Sequence, residues 1–137
     1  MPNAKSQLAD IPARRTGRPW GTSVAIDAAG CNPGRLRDEA TVSGFLIALV
    51  DAIGMKAYGG PEVVEFGEGG LHGLSAKQWI YTSSITWHAG GDGAPAEAYL
   101  DVFTCGDIDP PVAADVHDVW FGGTATVRAV VQRGSPT

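Results

Sequence analysis

Apolar positions along the chain change period several times, and each change marks an element. Residues 20–28 alternate, with Val24 and Ile26 two apart, which is the period of a half-buried strand. Gly30-Cys31-Asn32-Pro33-Gly34 reads as a turn. Over residues 36–53 the interval lengthens: Leu36, Ala40, Val42, Phe45, Leu46, Leu49 and Val50 recur at helical spacing, and Gly54 stops that helix. Residues 62–66 read as a short strand, followed by a glycine-rich connection over 67–73. Residues 74–81 and 83–88 favour β structure and read as one long strand with a break near Thr82. A loop over 89–96 precedes a strand at 98–104. A helix at 110–120 opens with Pro110 and Pro111, and a closing strand covers 125–132. The order β-α-β-β-β-α-β predicts an α+β fold, a two-layer α/β sandwich with a mainly antiparallel sheet and helices on one face.

Residues 1–18 break with this patterning. They mix Pro and Ser with Lys5, Arg14, Arg15 and Arg18 and hold few large apolar groups, so they are expected to form a flexible basic tail before a domain spanning 19–137. A chain of 137 residues suits one domain with a core that needs no disulfide. Its 19 glycines fit the many turns. The two cysteines, Cys31 and Cys105, are too few for a disulfide scaffold. The net charge of −5 argues against a nucleic-acid partner and favours a small cationic substrate. No apolar run reaches the roughly 18 residues of a membrane span, and the start lacks an apolar signal core, so a cytoplasmic protein is expected. His72, His88 and His117 lack ligand-like spacing, so no metal is expected.

Two segments carry the candidate chemistry: Ser83-Ser84-Ile85-Thr86-Trp87-His88 and Asp101-Val102-Phe103-Thr104-Cys105-Gly106. Alone, a serine with a histidine five residues on is common, and a cysteine at a strand end is usually a small core residue. Together they resemble the bacterial S-adenosylmethionine decarboxylase family of pyruvoyl enzymes. Its members carry Ser-His-Ile-x-x-His, then Asp-(Ile/Val)-Phe-Thr-Cys-Gly. The likeness extends upstream to Gly30-Cys31-Asn32-Pro33, Phe66 and Ser75, covering about residues 20–132.

The resemblance implies a proenzyme. The Ser83 hydroxyl attacks the carbonyl of Thr82, and elimination leaves a pyruvoyl group derived from Ser83 as the cofactor. That carbonyl then forms a Schiff base with the substrate amine and acts as an electron sink for decarboxylation. By the same resemblance His88 and Ser75 assist processing, Cys105 returns a proton to the carbanion, and Phe66 stacks on adenine. The chain is expected to work as a homodimer in polyamine biosynthesis.

The departures are specific. Thr82 stands where the family has glutamate, and Ser84 where it has histidine. After His88 the family's Thr-Trp-Pro-Glu gives way to a longer loop, in which Asp92 and Glu97 are the candidates to take over the lost acid. Two substrates follow, S-adenosylmethionine or a basic amino acid such as ornithine or arginine. The alternative function is an uncleaved S-adenosylmethionine-binding homologue, either a degrading lyase or an inactive partner subunit.

Overall fold

The alternation around Val24 and Ile26 builds strand β1 (Gly21–Ala29) in the computed structural model, which describes residues 19–135. The tail expected over residues 1–18 lies outside the described residues. The single helix expected over 36–53 is two helices, α1 (Pro33–Leu36) and α2 (Glu39–Ala52). The cause is Asp38. Its backbone is extended, and its carboxylate accepts from the Thr41 N–H at 3.2 Å and the Thr41 hydroxyl at 2.6 Å, which caps a fresh N-terminus.

Strand β2 (Ala57–Phe66) starts five residues earlier than the pattern predicts, with a bulge between Tyr58 and Glu62 at Gly59-Gly60-Pro61. Buried Gln78 holds that irregular stretch. Its amide nitrogen reaches the carbonyls of Gly59 at 3.0 Å and Trp79 at 2.7 Å.

The long strand expected over 74–88 is corrected to a hairpin of β3 (Gly73–Ile80) and β4 (Ser83–Ala89), paired antiparallel with Ile80 opposite Ser83. Thr82 reverses the chain: its φ is +58°, and it is the one non-glycine described residue in the left-handed region. Strand β5 (Ala98–Thr104), helix α3 (Pro110–Phe121) and strand β6 (Thr124–Arg133) fall within a residue or two of expectation. The sheet order is β2-β3-β4-β5-β1-β6, antiparallel throughout, with six strands where the pattern suggested five.

All the core lies on one side of the sheet. Phe45, Leu46 and Leu49 of α2 and Ala113, His117 and Phe121 of α3 cover Val24, Ile26, Ile85, Trp87, Leu100 and Val102. Trp87 stacks on Phe121 with ring centres 5.2 Å apart. The two helices approach closely because Gly44 has no side chain; a Cβ there would lie 2.7 Å from the Trp120 ring. The fold is therefore the predicted α+β sandwich. Its other sheet face carries no helix among the described residues. That face presents Phe66, Trp79 and Val131, each about half exposed at 59%, 49% and 50%. No described helix is long and apolar enough to cross a membrane.

Candidate active site

Side chains alternate across a strand, so residues an odd number apart point to opposite faces. Ser83 and His88 are five apart. Ser83, Ile85 and Trp87 face the helices and are buried, whereas Ser84, Thr86 and His88 face the open side. Five residues of strand also separate the two along β4 by about 17 Å. Within one chain, the candidate nucleophile and the candidate proton carrier therefore lie in two different places.

The first place is the β3–β4 turn. The Ser83 hydroxyl accepts from the Cys105 backbone N–H at 2.9 Å, so the residue just past β5 holds the residue that opens β4. The Cys105 thiol is buried beside it. The Thr82 hydroxyl lies 3.0 Å from Cys105 Sγ and 2.7 Å from the Tyr81 carbonyl oxygen. The backbone at Thr82 is strained as well, because a β-branched residue in the left-handed region costs about 1–3 kcal/mol. A cleft of about 520 Å³ opens onto this turn, lined by Tyr58, Trp79, Ile80, Tyr81, Thr82, Ser83, Ser84 and Phe103. Cations lie over three of its rings: Lys56 5.0 Å from the Tyr81 centre, Lys77 5.1 Å from Trp79 and Arg133 5.3 Å from Phe103.

The second place is on the open face. Ser75 Oγ and His88 Nδ1 are 2.7 Å apart, joined across β3 and β4 at a directly opposed pair. Phe66 lies near them, and all three line a cleft of about 320 Å³. Three of the predicted site residues, Ser75, His88 and Phe66, thus share one cleft, and Ser83 and Cys105 share the other location.

Asp92 and Glu97 join neither. Asp92 pairs with His72 at 2.8 Å and Arg37 at 3.5 Å, and its N–H donates to the His72 carbonyl. The His72 hydrogen bond holds the Asp92 carboxyl below the usual range, and Asp92 in turn raises His72. Glu97 accepts from the Tyr99 hydroxyl at 2.7 Å, which raises the Tyr99 pKa. Glycines zip this loop to the turn at Gly69–Leu71. The Gly93 N–H donates to the Gly70 carbonyl at 2.9 Å, and a Cβ on Gly93 would meet Gly70 Cα at 2.8 Å.

Two further groups are structural. His117 is fully buried and accepts from the Trp87 indole N–H at 3.1 Å, while its Nδ1 has no partner; desolvation drives its pKa down to about 4. Burial, helped by Asp118, raises the Cys31 thiol. Both cysteines are unbridged, and no metal-binding cluster occurs among the described residues. Sequence reading missed the aromatic cleft, because Tyr58, Trp79 and Phe103 converge from three strands; alternation of the strand pattern was the one signal available. It also missed the partner of Asp92, twenty residues away.

The turn thus holds a buried hydroxyl, fixed by a backbone donor, next to a strained residue. No curated protein matches the chain. The family described as S-adenosylmethionine decarboxylase matches residues 22–134, a span from β1 through β6. The chain belongs to the S-adenosylmethionine decarboxylase family.

Proposed function

We propose that the chain cuts its own backbone between Thr82 and Ser83 and then works as a pyruvoyl-dependent decarboxylase of S-adenosylmethionine. Family membership already carries a decarboxylase-like function in polyamine biosynthesis. The finer reading rests on one observation: the hydroxyl of Ser83 is held by the Cys105 N–H directly after a residue strained at φ +58°. The Ser83 oxygen bonds to the Thr82 carbonyl carbon as the peptide C–N bond breaks. Elimination then releases the Thr82 carboxylate, and water replaces the nitrogen, lost as ammonia. Relief of the turn strain favours the first of these steps. The resulting pyruvoyl carbonyl supplies an electron sink for loss of carbon dioxide. Cys105, beside it, delivers a proton to the substrate carbon.

His88 and Ser75 assist processing from a second copy of the chain. The half-exposed apolar side chains of the open sheet face support that pairing. Packing two such faces is the arrangement this reading requires to bring the Ser75–His88 pair of one protomer to the Ser83 turn of the other. The cleft at Ser83 favours S-adenosylmethionine over ornithine or arginine. Its lining has four aromatic rings, Tyr58, Trp79, Tyr81 and Phe103, which give the adenine of that substrate a surface to stack on.

Intact mass measurement under denaturing conditions tests the reading. Fragments 1–82 and 83–137 are expected, the second carrying a carbonyl that hydride reagents reduce, and Ser83→Ala abolishes both. A single uncut species would overturn it. That result would leave the second reading, an uncleaved S-adenosylmethionine-binding homologue, which the internal engagement of Asp92 and Glu97 favours because neither acid is free for a nucleoside.

A further inference from the structure

Thr82 stands out because its side chain touches the candidate proton donor. The hydroxyl lies between two groups, the Tyr81 carbonyl oxygen at 2.7 Å and Cys105 Sγ at 3.0 Å. It has a single proton. A carbonyl oxygen is a better acceptor than a thiol sulfur, so that proton goes to Tyr81 while the thiol is neutral, and the S–H donates to the same carbonyl at 3.6 Å. A thiolate is a different partner: charged, buried and in need of a donor. The Cys105 N–H cannot supply that donor, because it points to Ser83 Oγ. The Tyr81 carbonyl, 3.6 Å from the sulfur, only accepts. One rotation about the Thr82 Cβ–O bond turns the hydroxyl proton from the carbonyl to the sulfur.

We propose that Thr82 is a positioning residue for Cys105, its hydroxyl donating to the thiolate. The assignment rests on Cys105 being the proton donor of the proposed decarboxylation. In that step the S–H bond breaks and the proton moves to the substrate carbon that has lost carbon dioxide. The carbon supplies the electron pair of the new C–H bond, and the sulfur keeps the S–H pair as a thiolate. The Thr82 hydroxyl then donates to that thiolate, which lowers the energy of the state reached by proton transfer. The placement suits the task, since Thr82 is exposed at the turn while the sulfur it faces is 2% exposed. Once the chain is cut Thr82 is a chain end, and its hydroxyl stays on the sulfur there.

The test reads the sulfur itself, in full-length protein with Cys31→Ala so that one thiol remains. Thr82→Val keeps the β-branch and removes the hydroxyl; Thr82→Ser keeps the hydroxyl. Thiolate ultraviolet absorbance is followed as pH rises, together with the rate of alkylation by iodoacetamide at one alkaline pH. Thr82→Val is expected to shift thiolate formation to higher pH and to slow alkylation about tenfold, the scale of one hydrogen bond to a charged group. Thr82→Ser returns both to within about twofold of the parent. Thr82→Val behaving like the parent, or Thr82→Ser behaving like Thr82→Val, would overturn the assignment. Both measurements work on cut or uncut chain. An uncut mass therefore refutes the decarboxylase reading alone, and an unresponsive thiol refutes the role of Thr82 alone.

Discussion

Acid should unfold this protein through one core side chain. His117 is fully buried against Phe45, Trp87 and Phe121, and its Nε2 accepts from the Trp87 indole, so the ring is neutral in the fold. Its pKa there is about 4, against 6.5 as the ordinary value. The sign follows directly. Between those two values the unfolded chain binds a proton that the folded chain does not, so stability is complete above pH 6.5 and declines as pH falls toward 4. Each unit of that interval is worth about 1.4 kcal/mol, so the loss accumulates to about 3 kcal/mol near its lower end. For a domain stabilised by roughly 5–15 kcal/mol this is a large fraction. Urea denaturation of the parent and His117→Gln from about pH 7 to about pH 4 isolates the effect, because the glutamine amide still accepts from the indole without titrating. Exposed carboxylates act equally in both proteins and cancel. The variant is expected to start less stable and to lose about 3 kcal/mol less on acidification. Parallel profiles would refute the buried neutral imidazole.

Three other outcomes follow from the geometry. Gly44→Ala sets a methyl 2.7 Å from the Trp120 ring and should lower stability by about 1–3 kcal/mol despite alanine's better helix propensity, as a melting curve would register. Ser83→Ala and His88→Ala should each fail to cleave alone, yet a mixture of the two should cut the His88→Ala chain, since its partner supplies the imidazole; no cleavage on mixing argues against shared sites. Asp92→Asn should move the His72 titration, followed by NMR, toward lower pH, and an unchanged midpoint would mean that the Asp92 hydrogen bond is not what raises it.

Sequence patterning located most elements because their periods are set by burial on one side: Val24 and Ile26 in β1, Phe45, Leu46 and Leu49 in α2. It failed where one residue's backbone decides the path. Asp38 restarts a helix that the apolar spacing runs straight through, and Thr82 folds back a stretch whose β-favouring residues look continuous. The candidate site was legible as a set of residues but not as an arrangement. Ser83, His88, Cys105, Ser75 and Phe66 all came from the resemblance to the family. Their division between two faces follows from the odd spacing of Ser83 and His88, which a linear motif hides. The loop after His88 was least legible, because the partner of Asp92 is distant in sequence and the glycines that zip the two loops follow no period.

The bend at Thr82 would also give the proposed self-cleavage a direction. Returning the ester to the amide before elimination means forcing a β-branched residue back into a conformation that disfavours it by about 1–3 kcal/mol, equivalent to a bias of roughly ten- to a hundredfold. The turn would then behave as a ratchet, biasing the acyl shift forward until elimination makes it irreversible.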